Sequence, residues 1–429
     1  MENYKTKIHE LNPVKLSIEF EIPSERVSSE LENVYLQIQK TAIVPGFRQG
    51  KAPMEIVKQR YAQTAKEKTI ENLINDSLYP FLKEKNINPV GSPVIENINF
   101  EFNKPFTYKV VLEQHPKIVA KDYKKLKLEK KVKKITDEDI KNTLEEMRKY
   151  NIRLVEKKDG NLTENDCAIV DYTAWLDGKE LKEIKAENHL IDLSQKQILP
   201  GLAEGLLGAK PKEIRELQIT LPEDFPKKEI ANKTIILKVS IKNIKEKQLP
   251  SLDDNFAKEI GYKTLSELKD KIKETLEKNA EKNAESQLEE QIVNSLLSAN
   301  RFTVPETLIN EQKEYLLQTA IEKLLYQGFP KELIEKQTEF LEKKSKEEAE
   351  KQVRLMYILN SIAEQENIKV TDEDINQKKQ EILNSNPGKE KLVEHYFKNE
   401  IDRLIPKLKI DKIFGFIKEN SKIKEISVQ

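Results

Sequence analysis

Ten residues, Val44-Pro-Gly-Phe-Arg-Gln-Gly-Lys-Ala-Pro53, set an aromatic beside an arginine between two glycines. The glycines allow positive φ, Pro53 can open a following helix, and Phe47 with Arg48 then stands at the tip of a tight loop. Two readings are open on the residues alone. A plain interhelical turn would bury Phe47. A docking loop would expose it beside Arg48, whose guanidinium can bridge phosphate or carboxylate through two parallel hydrogen bonds. From Lys40 to Lys68 seven basic residues face two acids, and a net charge of +5 suits structured RNA or a ribosomal protein.

Other chemistry is narrowed by what is scarce. Cys167 is the one cysteine and His9, His115, His189 and His395 lie far apart, so neither a disulfide scaffold nor a zinc-ligand spacing is present, and no metal or cofactor is expected. Lys plus Arg equals Asp plus Glu at 74 each, which leaves no global field toward nucleic acid or an anionic membrane. Any such contact must come from a local patch. Met1 to Lys15 has no apolar h-region, and no stretch approaches the ~18 apolar residues of a membrane span. A soluble cytoplasmic protein with no membrane contact is expected.

At 429 residues the chain predicts about three domains. Its 37% hydrophobic and 34% charged residues, against typical values of about 45–50% and about 25%, describe a surface-rich and elongated chain.

The elements that must carry the loop follow from periodicity. Val14, Leu16, Ile18, Phe20 and Ile22 alternate as a half-buried strand ending at Pro23. Ser24 is read as the N-cap of a helix with Val27, Leu31, Val34, Ile38 and Ala42 on one face. After Pro53 a helical stretch is expected to run to about Asn86. Strands Val94 to Phe102 and Phe106 to Leu112, joined at Asn103-Lys104-Pro105, complete an α+β domain ending near residue 112.

Eight lysines between Lys121 and Lys134 read as an exposed extended connector, although Tyr123, Leu126, Leu128 and Val132 interleave with them. Residues 151 to 247 hold five of the twelve glycines and a strand-turn pattern, including Ala168 to Leu176 before Asp177-Gly178, so a compact β-rich module is expected. Beyond residue 250 helical periodicity dominates. Thr264 and Glu267 form a capping-box pattern for a helix to about Asn300, ~50 Å long. Further long helices follow Pro305 and Pro330. In the last of these the stretch from Glu342 to Lys351 is so charged that almost no core contact is expected. Ile135-Thr-Asp-Glu-Asp-Ile140 recurs as Val370-Thr-Asp-Glu-Asp-Ile375, either as repeated capping chemistry or as two helices of one structural unit.

The loop resembles the ribosome-docking signature of the trigger factor family, matched at Gly46, Phe47, Arg48, Gly50 and Pro53. The resemblance extends through Met54-Glu-Ile-Val-Lys-Gln-Arg-Tyr61, the Asn86-Ile-Asn-Pro-Val-Gly-Ser-Pro93 segment, the Asp-Gly turn of the middle module and the helical carboxyl region. It implies a multidomain α+β protein: a ribosome-binding domain at 1–112, a connector with part of the helical body at 113–149, an FKBP-like β-rich domain with a short helix at 150–247, and an elongated all-α client-holding domain at 248–429. The implied docking set is Gly46, Phe47, Arg48, Gln49, Gly50 and Lys51. Gln49 departs from the lysine common in the family, and Lys51 stands two residues on.

The middle module is similar to FKBP-type prolyl isomerases from Val170-Asp-Tyr-Thr173 through Leu199-Pro-Gly-Leu202 to Leu221-Pro-Glu-Asp-Phe225. The resemblance puts Tyr172, Leu181, Leu199, Leu202, Phe225 and Leu237 around an apolar pocket. Leu181, Leu202 and Leu237 stand where aromatic residues are usual, and Lys182 where an acid is usual, which implies weak or lost catalysis with peptide binding kept. The family implies docking on the large ribosomal subunit near the exit tunnel, nascent and unfolded polypeptides as clients, and homodimers off the ribosome. Two other readings compete: an FKBP-type isomerase dimerised by its helices with no ribosome role, and a periplasmic helical chaperone, which the missing signal peptide disfavours.

Overall fold

The computed structural model describes residues 4–157, 159–194, 201–223, 225 and 228–428. Two compact units divide the chain, Met1–Lys130 with Glu285–Glu425 and Lys131–Ala284 with Ile426–Gln429.

In the first unit β1 (Lys5–Asn12) and β2 (Lys15–Ile22) precede α1 (Ser24–Thr41), α2 (Met54–Arg60) and α3 (Ala62–Glu84). Next, β3 (Pro89–Asn99) and β4 (Phe106–Gln114) complete an antiparallel sheet in the order β1-β2-β4-β3. Alternation makes one face apolar: Leu16, Ile18, Phe20 and Ile22 pair with Leu112, Val110, Tyr108 and Phe106. Leu73, Leu78 and Phe81 of α3 cover that face. Phe20 stacks on Tyr108 with ring centroids 4.8 Å apart. Burial pushes the Tyr108 phenol above its usual range, and its hydroxyl shares a 2.7 Å hydrogen bond with Ser77 Oγ.

Four local expectations change here. β1 was absent from the periodicity because it is an edge strand, exposed along most of its length. Pro23, not Ser24, occupies the N-cap of α1, and no side chain caps that end. The helix after Pro53 breaks at Tyr61, whose backbone leaves the helical region while its hydroxyl donates to Ile43 O at 3.2 Å. β3 starts at Pro89, where Gly91 takes φ +69° at an irregularity in the pairing.

β5 (Lys127–Lys133) leads into the second unit through α4 (Asp137–Tyr150). There β6 (Arg153–Glu156), β7 (Cys167–Leu176), β8 (Lys179–Asp192), α5 (Leu202–Leu206), β9 (Ile214–Thr220) and β10 (Thr234–Gln248) form the β-rich module. The long β10 pairs with β6, β7 and β9, and β8 pairs with the far edge of β7. Val170, Ala174, Ile219, Ile235, Leu237, Val239 and Ile241 point into one core. α6 (Asp254–Glu259) packs Phe256 with Leu144 of α4 and with Leu268 and Ile272 of α7 (Leu265–Ala299). Glu267 N–H donates to Thr264 Oγ1 at 3.2 Å, but the return bond to Glu267 comes from Lys263 N–H at 2.7 Å, one residue earlier than a capping box requires.

The remaining helices belong to the first unit: α8 (Glu306–Tyr326), α9 (Lys331–Lys336), α10 (Thr338–Gln365), α11 (Asp372–Ser385), α12 (Glu390–Asn399) and α13 (Ile401–Glu419), followed by β11 (Lys422–Val428), which pairs with β5. The lysine-rich segment is not merely a solvated connector. Seven of its eight lysines are exposed and Lys130 is partly buried, while Tyr123 and Leu128 are buried among Leu288, Ile292, Ile358, Ile362 and Ile417. Tyr123 Oη donates to Glu366 Oε1 at 2.5 Å, and burial first, then that carboxylate, pushes the phenol up to about 12.

The charged stretch of α10 also has core contact, through small residues: Ser345 is 8% exposed and Ala349 0%, and Ala349 packs with Val353 and Ile309. Side chains this short let helices approach without displacing the long charged neighbours, and hydrophobicity alone underrates them. The repeated capping boxes are both formed, Thr136 with Asp139 and Thr371 with Asp374, but on helices of different units. Among the described residues no helix is long and apolar enough to cross a membrane.

Candidate functional sites

The 44–53 loop is pinned at its stem and open at its tip. Val44 and Ala52 are buried with Val34, Tyr35, Val57 and Ala65. Gln39 Nε2 donates to Ala52 O at 2.7 Å and Tyr61 Oη to Ile43 O, so both strands of the loop are tied to neighbouring helices. Phe47 N–H donates to Val44 O at 3.1 Å and Lys51 N–H to Arg48 O at 2.9 Å, giving two consecutive turns. Gly46 and Gly50 take φ +87° and +77°, where a side chain would be strained.

Phe47 is 41% exposed and belongs to no described core cluster, so the turn does not bury it. Arg48 is exposed, and among the described residues its guanidinium has no hydrogen-bond or salt-bridge partner. Gln49 points back: its amide Nε2 donates to Thr41 O at 3.1 Å, which occupies the side chain within the loop. Lys51 is exposed.

The second site lies in the β-rich module. Leu202 and Leu237 are buried in its core, and Tyr172, Leu181 and Phe225 are half-buried against the same cluster. Leu199 lies outside the described residues. Strand register explains the convergence: Leu237 opposes Ala174, Val239 opposes Tyr172, and Tyr172 opposes Ala186 on the other side. Phe225 is set by a turn, its N–H donating to Pro222 O at 3.2 Å.

One neighbour was not anticipated. His189 meets the Tyr172 ring edge-on with centroids 5.7 Å apart, a contact set by the β7–β8 pairing and carrying no signal in spacing. The nearby carboxylate of Asp171 is engaged elsewhere, with Lys242 Nζ at 2.9 Å and Asn188 N–H at 2.7 Å, and the lysine holds it below the usual carboxylate range. The described side chains around these positions are hydrocarbon, phenol and the His189 imidazole, and hydrocarbon of this kind can exclude water from an amide.

A β-sheet packed on one short helix, with Tyr172 and Phe225 half-buried at the edge of its core, is here set within a longer chain and is of the FKBP class of prolyl isomerase domain. Residues 158–242 match the family described as FKBP-type peptidyl-prolyl cis-trans isomerase. Residues 4–147 match bacterial trigger factor protein and residues 264–419 its C-terminus. The trigger factor of Geotalea uraniireducens is 32% identical over 428 residues, covering 98% of this chain and 99% of its own. That of Syntrophotalea carbinolica is 31% identical and covers 98% and 96%. A Geobacillus relative is 32% identical and covers 94% and 96%. A solved structure described as "Promiscuous Substrate Recognition in Folding and Assembly Activities of the Trigger Factor Chaperone" shares the fold at a TM-score of 0.51 and 18% identity, over 96% of this chain and 100% of that one. This chain belongs to the trigger factor family.

Proposed function

We propose that the protein is a cytoplasmic, partly ribosome-bound chaperone. It docks on the large ribosomal subunit near the exit tunnel through Gly46 to Lys51, holds nascent and unfolded segments, and slowly isomerises prolyl bonds. The division of labour follows the sequence: 1–112 dock, 150–247 isomerise, and 113–149 with 248–429 hold clients.

The observation that carries this reading is the docking loop itself. A half-exposed Phe47 and an Arg48 with no partner among the described residues stand on a stem fixed by three side-chain bonds. Such a tip meets a partner with little ordering cost, because the backbone is already held. Clients would rest on scattered apolar side chains of the helical body, each contact worth ~1 kcal/mol or less, so release stays easy.

In the isomerase module the barrier is amide resonance, ~18–20 kcal/mol, and a twisted amide is favoured where water is stripped from it. Leucines at 181, 202 and 237 exclude water but give the proline ring no stacking surface. Activity is therefore low.

Co-sedimentation of the intact chain with large ribosomal subunits, beside the triple variant Phe47→Ala, Arg48→Ala, Gln49→Ala, tests the docking reading. Loss of pelleting in the variant supports it. Equal pelleting of both, or none with wild type, leaves an isomerase without a ribosome role.

A further inference from the structure

We infer that Arg215, on β9, is a positioning residue for the prolyl pocket, holding α5 so that Leu202 stays at the pocket floor. The inference deepens the isomerase reading above and rests on it for its kinetic consequence.

The helix that carries Leu202 spans five residues, Leu202–Leu206. A single turn cannot hold itself, since nucleating a helix costs more than its first hydrogen bonds return. It opens at Gly201 with φ +85° and has no side-chain cap at its start. Its carboxyl end is where it is fastened. Arg215 Nη1 donates to Gly205 O and to Leu207 O, both at 2.8 Å, and these carbonyls lie at the end of the turn, where intrahelical donors run out.

The fork is itself aimed. Arg215 Nε donates to Glu213 Oε1 at 2.8 Å, and the other oxygen of Glu213 accepts from Lys210 N–H at 2.7 Å. One carboxylate thus orients the guanidinium and anchors the loop between α5 and β9. A planar guanidinium serves three acceptors from one rigid head, whereas an ammonium on a flexible stem reproduces at most part of that set.

Close packing sets the depth. A Cβ on Gly205 would lie 2.6 Å from Leu217 Cδ2 on β9, so a side chain there would push the Leu217 side chain aside or lift the helix from β9. With α5 held at that depth, Leu202 and Leu206 reach the core that also contains Leu237.

The test uses the intact chain with Arg215→Ala, Arg215→Lys and, independently, Gly205→Ala. Three readouts are needed: amide hydrogen exchange across 203–207 against exchange in β7, isomerisation of a prolyl tetrapeptide resolved into kcat and KM, and thermal unfolding. For Arg215→Ala the expectation is exchange in 203–207 faster by about tenfold with β7 unchanged, and kcat/KM lower by about fivefold, mainly through KM. Arg215→Lys should recover part of both. Gly205→Ala should reproduce the loss with every charge kept.

Unchanged exchange in 203–207 would overturn the inference, and so would a rise shared equally by β7, which marks general destabilisation. Full recovery with lysine would overturn the three-point fork. If Arg215→Ala does not fold, the exchange comparison is read on the other two variants. A wild-type chain that isomerises no prolyl peptide sinks the isomerase reading, while exchange across 203–207 still decides what Arg215 does.

Discussion

Glu113, near the end of β4, closes the amino end of α8: its carboxylate oxygens accept from the N–H groups of Glu306 at 3.2 Å and Thr307 at 2.9 Å. Pro305 sits at the N-cap and offers no side-chain bond there. A strand residue almost 200 positions earlier in the chain supplies the cap and the negative charge that a helix start favours. Beside it, Gly91 leaves room for Thr307, whose Cγ2 would be 2.9 Å from a Cβ at residue 91. Glu113→Ala is expected to lower stability by about 0.5–2 kcal/mol, and Glu113→Gln by less. Thermal unfolding of the two variants checks this. Identical melting of wild type and Glu113→Ala would show the cap to be idle.

The 44–53 loop, proposed to dock, holds its residues in different ways. Arg48→Ala removes a charge with no partner among the described residues and, on the proposed docking role, should weaken ribosome binding by about tenfold or more, the scale of one charge-assisted hydrogen bond. Gln49→Ala removes a bond inside the loop and should cost several-fold less. Equilibrium binding to purified large subunits distinguishes them, and a larger loss for Gln49→Ala would reverse the assignment.

Arg148 Nε donates to Pro250 O at 2.7 Å, so the chain enters and leaves the β-rich module at one place. Deleting residues 150–247 and joining the ends should leave the packing of Leu144, Phe256, Leu268 and Ile272 intact. The expected product stays in solution and still suppresses aggregation of an unfolded test protein. A deletion variant that is insoluble, or inactive as a holdase, counts against the proposed boundaries.

Leu202→Phe with Leu181→Phe would give the proposed pocket aromatic walls. Aromatic contacts beyond burial are worth about 0.5–1.5 kcal/mol, which translates to roughly two- to tenfold in isomerisation rate. Leu202 is buried, so the larger ring also risks about 1–3 kcal/mol of overpacking. Rate and thermal unfolding must be measured together. A wild-type rate already matching an aromatic-lined relative refutes the eroded pocket.

Asp139 and Asp374 are held down to about 2 by Lys133 and Lys412 first, and then by their capping threonines. Because these folded-state values lie below the ordinary 3.8, their contribution to stability is present above that pH and is lost as pH falls toward 2. Asp374→Asn should therefore melt below wild type at pH 6, with the gap closing by about pH 2. A gap that is constant with pH would mean that the charge plays no part.

Legibility in the sequence followed how much of an element's role lies in its own pattern. The β2 and β4 alternation was readable because one face meets α3 and the other water, and the Thr-Asp caps because all their partners are within three residues. Edge strand β1 has no buried face to reveal. Ala349 is too small to mark its site as core, and Tyr123 was hidden among lysines because its partners are helices far along the chain. In the candidate sites, the loop's glycines predicted a turn at Phe47 and Arg48 but left exposure of Phe47 open, and both the docking set and the pocket positions rested on family resemblance. His189 and Arg215 depend on strand register and on a helix end, which no local spacing encodes.

The burial of Tyr123 and Leu128 beside Ile417 imposes an order on the protein's own synthesis. At about 5–20 residues per second, the last contributor to that core follows Leu128 by roughly 15–60 s. Through that interval the segment waits with its partners unmade, and the eight lysines around it keep it hydrated and self-repelling. The same charges that disguise a core segment as a linker protect it until the chain is nearly complete.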